Sequence, residues 1–236
     1  MKKLSRISHP NIIQLYGVCL KKPVCLVLEF VDGGSLYDVI HSKSKISYAL
    51  FKAIHWALQC AQGIAHLHDI KPKIIHRDIK SPNLLLTCDG NTLKICDFGI
   101  ACCLRTIMTN NVGSAPWMAP EVFQGTSYTE KCDVYSWGLL LWEIFSRSIP
   151  YKDIYNEPYQ ILWAVCHGTR PSLISDCPSK IQELYTQCWS KSPNERPSMN
   201  EVVKIMTDLF TSFSGIHHED ALCQINGAPV IPADRE

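Results

Sequence analysis

His76-Arg77-Asp78-Ile79-Lys80-Ser81-Pro82-Asn83, followed by Asp97-Phe98-Gly99, is the stretch on which the reading of this chain turns. Between the two pieces lie Leu84-Leu85-Leu86 and Leu93-Lys94-Ile95, on either side of Asp89-Gly90. An Asp-Gly step between apolar runs signals a hairpin. Centring the turn there places Asn83 and Asp97 almost opposite one another at the hairpin's open end. An amide oxygen and a carboxylate at one mouth are hard donors of the kind Mg²⁺ takes. Asp78 is then left to face a hydroxyl and Lys80 to meet developing negative charge. A cation, oxygen ligands to hold it and a proton acceptor are what phosphoryl transfer requires.

Upstream, His9-Pro10-Asn11 punctuates a short basic segment before the apolar run Ile12 to Leu20. Lys21-Lys22-Pro23 is a turn signal, and Val24 to Val31 is rich in β-formers, so the two runs can pair as an antiparallel hairpin. Asp32-Gly33-Gly34-Ser35 ends the second strand. After Ser47, a candidate cap, Leu50, Ile54, Ala57, Leu58, Ala61, Ile64 and Ala65 recur at helical spacing. Downstream, Glu130 to Phe145 is apolar on nearly every side, as in a helix buried inside a helical lobe. More helices are expected around Tyr159 to Cys166, Lys180 to Trp189 and Met199 to Phe210, and the periodicity fades after that.

Composition narrows the function classes. With 236 residues and 46% hydrophobic content the chain can build one sizeable core, and a net charge of +1 gives neither a polybasic nucleic-acid surface nor an acidic tail. No nucleic-acid partner is expected. The longest apolar stretch, Trp137 to Phe145, falls well short of the roughly 20 residues that cross a bilayer. Twelve cysteines occur without any Cys-x-x-Cys pair, and Cys102 and Cys103 are adjacent. Small buried hydrophobes in a reducing, cytoplasmic setting are the expected use of these thiols, ahead of zinc or disulfide roles.

The quoted stretch resembles the catalytic loop of protein kinases, and Asp97-Phe98-Gly99 with Ala119-Pro120-Glu121 resembles the two ends of their activation segment. The resemblance covers Met1 to about Phe210. It implies an α+β, bilobal fold with a complete, mainly helical C-lobe and an incomplete antiparallel β N-lobe, with ATP and Mg²⁺ as cofactors. By the same resemblance Asp78 is the catalytic base or hydroxyl-orienting group, Lys80 a phosphate contact, Asn83 and Asp97 the magnesium ligands, and Arg77 the partner of an activation-segment phosphate. His76 is structural, an imidazole packed under Phe98. Glu121 and Arg196 resemble the ion pair that anchors the segment, and Asp133 the acid that fixes the catalytic-loop backbone, with a solvated first-turn carboxylate as the competing reading. Leu28 takes the position that gates the pocket behind adenine. Glu29, Phe30 and Val31 form the segment joining the lobes, whose Glu29 and Val31 backbone groups meet the adenine edge, and Leu85 packs beneath the base. Core packing competes for Leu28 and Leu85.

Lys80, two residues after Asp78, resembles serine/threonine kinases, whereas Cys132-Asp133-Val134-Tyr135-Ser136-Trp137-Gly138 and Trp117-Met118-Ala119-Pro120-Glu121 resemble the tyrosine-kinase side. The combination is that of the tyrosine-kinase-like serine/threonine group. Within it, Leu93 to Gly99, Met108-Thr109-Asn110-Asn111, Gly168-Thr169-Arg170-Pro171 and Cys188-Trp189-Ser190-Lys191 resemble the MAP kinase kinase kinases that respond to transforming growth factor β. That resemblance implies downstream kinases as protein substrates, activator or adaptor subunits as partners, and Thr106, Thr109 and Ser114 as activating phosphosites, Thr109 foremost.

One departure bears on mechanism. No Gly-x-Gly-x-x-Gly occurs, and Lys2 and Lys3 fall on the wrong element to replace the strand lysine that contacts the phosphates. Against the family pattern Met1 aligns near the end of the glutamate-bearing helix. Residues 1–31 are thus expected to be an N-lobe remnant and the segment joining the lobes, 32–210 the C-lobe and 211–236 a flexible tail. Two readings follow, a kinase whose N-lobe is truncated and a catalytically impaired regulatory or scaffolding protein.

Overall fold

Lys21-Lys22-Pro23 turns the chain back on itself. In the computed structural model, which describes residues 7–42, 46–97, 112–154 and 157–214, β1 (Leu15–Cys19) pairs antiparallel with β2 (Cys25–Leu28). The ladder runs Cys19↔Cys25, Val18↔Leu26, Gly17↔Val27, and then slips at an irregularity before Leu15↔Leu28. Among the described residues no third strand joins this pair, and β2 is exposed along its length. Among the described residues the pair therefore has no further strand on either edge.

Ser35 starts α1 (Leu36–His41) with a capping box: its hydroxyl accepts from Asp38 N at 3.1 Å and Asp38 Oδ2 accepts from Ser35 N at 3.2 Å. α2 (Leu50–Asp69) buries the predicted Ile54, Ala57, Leu58, Ala61 and Ile64. Ser47 does not cap it. The helix begins at Leu50 with Ala49 at the cap position and no side-chain cap bond, so Ser47 lies too far upstream to reach the first-turn N–H groups.

β3 (Leu84–Leu86) and β4 (Leu93–Ile95) form the second hairpin, with Leu84↔Ile95 and Leu86↔Leu93 in register. Its connection is longer than a two-residue turn: Thr87 N donates to Thr92 O at 3.0 Å, and Gly90 takes φ +62°. The ladder's symmetry therefore sets Asn83 across from Cys96, whose N–H donates to Asn83 O at 2.9 Å, and Asp97 comes next, almost opposite Asn83 as the turn centred on Asp89-Gly90 predicts. Two other segments dock on this hairpin. Ile95 N donates to Asn11 O at 2.9 Å, and Ile13 N to Ile95 O at 3.0 Å. On the other strand Gly33 N donates to Leu86 O at 2.8 Å, an approach so close that a Cβ on Gly33 would sit 2.4 Å from two carbonyl oxygens.

The helical lobe follows: α3 (Pro120–Phe123), α4 (Lys131–Ser146), α5 (Pro158–Cys166), α6 (Ser179–Cys188) and α7 (Met199–Ser214), with 3₁₀ turns at Ser81–Asn83 and Val112–Trp117. Every residue of α4 from Cys132 to Phe145 is buried, which accounts for its all-round apolar sequence. Each of its fully buried leucines, Leu139 to Leu141, contributes about 1.5–3 kcal/mol by leaving water. α2 packs on α4, where Trp137 Nε1 donates to Ala57 O at 3.1 Å, and on α7, where Phe51 stacks on Phe210 at 4.5 Å. α7 continues past the expected end of the lobe at Phe210, to Ser214, with Ser212 Oγ donating to Asp208 O at 2.7 Å.

Cys60, Cys132 and Cys188 are buried in this core, and burial pushes all three thiols up. Cys19, Cys25 and Cys88 are exposed, contrary to the expectation of small buried hydrophobes, because they fall on the uncovered hairpin and in the β3–β4 connection. Among the described residues no helix is long and apolar enough to cross a membrane.

Candidate active site

The loop between α2 and β3 is irregular up to its closing 3₁₀ turn Ser81–Asn83, and a buried acid holds it at His76 and Arg77. Asp133, in the first turn of α4 and fully buried, accepts Arg77 N at 2.7 Å on Oδ1, and His76 N at 2.8 Å and His68 Nε2 at 2.9 Å on Oδ2. Arg77 sits at φ +71°, a left-handed conformation that costs a side-chain-bearing residue roughly 1–2 kcal/mol. Two hydrogen bonds to a charged acceptor offset it. The His76 ring spans from the loop to β4: Asp78 N donates to Nδ1 at 3.3 Å, so Nε2 carries the proton it donates to Cys96 O at 3.0 Å. Its predicted neighbour Phe98 lies outside the described residues.

Asp78, Lys80 and Asn83 come together as one network. Asn83 Nδ2 donates to Asp78 Oδ2 and to Asp78 O, each at 2.8 Å. Lys80 Nζ meets Asp78 Oδ2 at 3.0 Å and donates to Ser114 Oγ at 2.6 Å. Both partners of Asn83 Nδ2 are acceptors, which fixes the amide's orientation and leaves its Oδ1 as the donor to a cation. Asp97 follows Cys96, exposed and at φ +55°, next in the chain to the residue that faces Asn83 across the ladder. The Cys96 thiol between them is pushed up to about 12 by burial and then by the Asp97 charge.

This donor set fits Mg²⁺. Among the described residues no group of three or more His, Cys, Asp and Glu is placed for a metal, and Mg²⁺ needs none, since one or two protein oxygens with phosphate oxygens and water complete its shell.

The segment after β2 is tied to the residue before β1 and to β4. Glu29 N donates to Gln14 O at 2.8 Å, and the Glu29 carboxylate pairs with Lys94 Nζ at 2.8 Å while accepting Gln14 N at 3.1 Å. Leu85 is half-buried and lies in a bridge with Ser35, which brings it beside the chain that runs on from Val31. Leu28 is 38% exposed at the end of β2, so core packing does not account for it.

Residues 1–206 match the family "Protein tyrosine and serine/threonine kinase". The chain belongs to the protein kinase family. Mitogen-activated protein kinase kinase kinase 7 of Homo sapiens is 56% identical over 217 residues, 91% of this chain and 36% of the relative. The Drosophila melanogaster protein of that name is 50% identical over 217 residues, 91% of this chain and 32% of the relative. A Drosophila "Putative mitogen-activated protein kinase kinase kinase 7-like" protein is 39% identical over 215 residues, 89% of this chain and 55% of the relative. The kinase chain thus spans about a third of the length of the first two.

Further anchors surround the network in this kinase. Arg196, 1% exposed, grips Glu121 with both guanidinium nitrogens, NH1 to Oε1 at 2.6 Å and NH2 to Oε2 at 3.0 Å. Arg77 lies over the Tyr128 ring at 5.1 Å. Thr106 and Thr109 lie outside the described residues. Ser114 is buried and accepts from Lys80, so it is not the exposed loop hydroxyl expected of a phosphosite; the 3₁₀ turn Val112–Trp117 folds it against the catalytic loop. Glu143 was not singled out by sequence. Fully buried on α4, it accepts His41 Nε2 at 2.8 Å, Ser81 Oγ at 2.6 Å and Trp117 Nε1 at 2.9 Å. The only signal was an acid inside an apolar run.

Proposed function

We propose that the chain is the catalytic lobe of a MAP kinase kinase kinase, which transfers the γ-phosphoryl group of Mg-ATP to serine or threonine hydroxyls of downstream kinases. The observation that supports this best is the closed Asp78–Lys80–Asn83–Ser114 network. Asp78 Oδ1 and Oδ2 accept the incoming hydroxyl's hydrogen bond and take its proton as the new O–P bond forms. Lys80 Nζ, already drawn to Asp78 Oδ2, meets the negative charge that develops on the transferring group. Asn83 Oδ1 and the Asp97 carboxylate would hold Mg²⁺, which when bound would neutralise the phosphate oxygens.

Residues up to 31 and the start of the helical lobe form the nucleotide wall. Glu29 O and the Val31 backbone face the adenine edge, with Leu28 behind it and Leu85 beneath. Arg77 receives an activation-segment phosphate from Thr106 or Thr109. A cytoplasmic setting belongs to the same proposal, supported by the thiols sealed in the helical core. The complete set Asp78, Lys80, Asn83 and Asp97 favours the transferase over the scaffold reading.

Purified chain, labelled ATP, Mg²⁺ and a MAP kinase kinase substrate test this. Phosphate is expected on serine or threonine, at less than the ordinary kinase turnover of roughly 1–100 per second, since the chain has no glycine-rich motif to position the phosphates. Asp78→Asn lowers the rate by about 100-fold or more. Equal rates for the two chains, or label on tyrosine, would overturn the proposal.

A further inference from the structure

The uncovered hairpin carries two cysteines face to face. Cys19 closes β1, Cys25 opens β2, and the two are register partners. Directly opposed residues of an antiparallel ladder have Cα atoms about 4.5 or 5.5 Å apart, according to the type of pair, and Cβ atoms on the same face. Both spacings fall inside the ~4.4–6.8 Å window of a disulfide. Both residues are exposed, and Cys25 Sγ donates to Pro23 O at 3.3 Å in an exposed contact. Among the described residues the other thiols are elsewhere: Cys60, Cys96, Cys132 and Cys188 are buried, Cys166 and Cys177 are partly buried in the helical lobe, and Cys88 belongs to the β3–β4 connection, where its N–H donates to Asp32 Oδ1 at 2.9 Å. Among the described thiols the ladder therefore opposes one pair.

We propose that Cys19 and Cys25 are a reversible redox pair, oxidised to an intramolecular cross-strand disulfide by a glutathione-type disulfide. One cysteine, as thiolate, attacks a sulfur of the oxidant, whose S–S bond breaks to release one glutathione thiolate and leave a mixed disulfide on the protein. The other thiolate attacks the protein sulfur of that mixed disulfide, forming the Cys19–Cys25 bond and releasing the second glutathione thiolate. Two electrons pass from the pair to the oxidant, and the two protons lost by the cysteines end on the two glutathione thiols. The closed loop, Leu20 to Val24, is short, so the bond restricts the unfolded chain little. It is also exposed. Both properties make it readily reduced, a switchable mark and not a permanent staple. β2 runs directly into Glu29 to Val31, so oxidation braces the strand that enters the proposed nucleotide wall.

The test treats the native chain with oxidised and reduced glutathione at graded ratios, blocks remaining thiols with iodoacetamide, digests with trypsin and reads the peptides by mass spectrometry. Cleavage after Lys21 separates the two cysteines, so the bond appears as a linked pair of peptides. Two of the twelve thiols are expected to be lost to alkylation, in monomer, with recovery on adding dithiothreitol. Cys19→Ser is expected to leave Cys25 carrying glutathione with no internal bond. In concentrated urea the yield of the Cys19–Cys25 pair should fall several-fold as pairings scramble. The proposal is overturned if both thiols stay alkylatable in the native chain, if each carries its own glutathione, if either pairs as often with another cysteine, or if urea leaves the yield unchanged.

Discussion

Replacing Asp133 by Asn keeps the side chain's volume and removes its charge, and the structure sets what that costs. Three donors converge on two carboxylate oxygens: Arg77 N at 2.7 Å, His76 N at 2.8 Å and His68 Nε2 at 2.9 Å. An asparagine offers one oxygen. Turned to keep the pair on Oδ2, it points its NH₂ at Arg77 N; turned the other way, it loses both bonds on that side. At least one hydrogen bond to a charged group disappears, worth about 1.5–3 kcal/mol, and a buried N–H is left unsatisfied at about 1–3 kcal/mol. A loss of about 3–5 kcal/mol is therefore expected from a domain whose total stability is of order 5–15 kcal/mol. Urea unfolding measures the total, and hydrogen exchange at the His76 and Arg77 amides shows where it arises. Glu130→Gln, which breaks the exposed pair of Glu130 with Lys73, is the control and should cost no more than about 1 kcal/mol. Should Asp133→Asn lose under about 1 kcal/mol with both amides still protected, the carboxylate is not what holds the loop.

Glu143→Gln removes the charge that gathers His41, Ser81 and Trp117; we expect about 2–4 kcal/mol lost together with slower phosphoryl transfer, and an unchanged thermal midpoint would refute it. Arg196→Met leaves Glu121 buried without its partner and should cost about 3–5 kcal/mol, whereas adding Glu121→Leu should recover much of that loss; equal stability of the single and double variants in urea would contradict the pairing argument. Asp89 is held down to about 2 by hydrogen bonds from Thr87 Oγ1, Asn91 N and Asn91 Nδ2. Its folded pKa lies below the ordinary 3.8, so its contribution is present above that value and is lost as pH falls toward 2. A carboxyl NMR titration of Asp89 centred at 3.8 would show that these bonds do not form.

Local pattern carried the parts of the fold whose cause is local. α2 and α4 were legible because their apolar residues follow helical spacing, and both hairpins because a breaker separates runs of β-formers. The boundary at Ser47 was not legible: any upstream serine looks like a cap, and only the backbone shows that Leu50 begins the helix. The β3–β4 register was legible because centring the turn on Asp89-Gly90 pairs Leu84 with Ile95, as observed, although the connection is longer than a tight turn. The site divides the same way. Asp78, Lys80 and Asn83 lie close together in sequence and were found there, whereas the partners of Glu143 come from α1, the catalytic loop and the turn before α3, and no spacing along the chain announces them.

α4 explains why the catalytic loop can be irregular and still fixed. Its two buried acids take hold of the loop at different points, Asp133 at His76 and Arg77, and Glu143 at Ser81. Asp78 and Lys80 lie between those points and are not needed to hold the loop down. The loop's backbone is thereby tied to a helix whose every residue from Cys132 to Phe145 is buried, and close packing on all sides resists its displacement. An apolar anchor could supply burial but would leave the loop's N–H groups unpaired. A carboxylate satisfies them and fixes their direction as well, which is how Arg77 can keep a left-handed backbone. The charges are buried where chain geometry must be held, and the half-exposed pair Asp78 and Lys80 is left to meet the substrate.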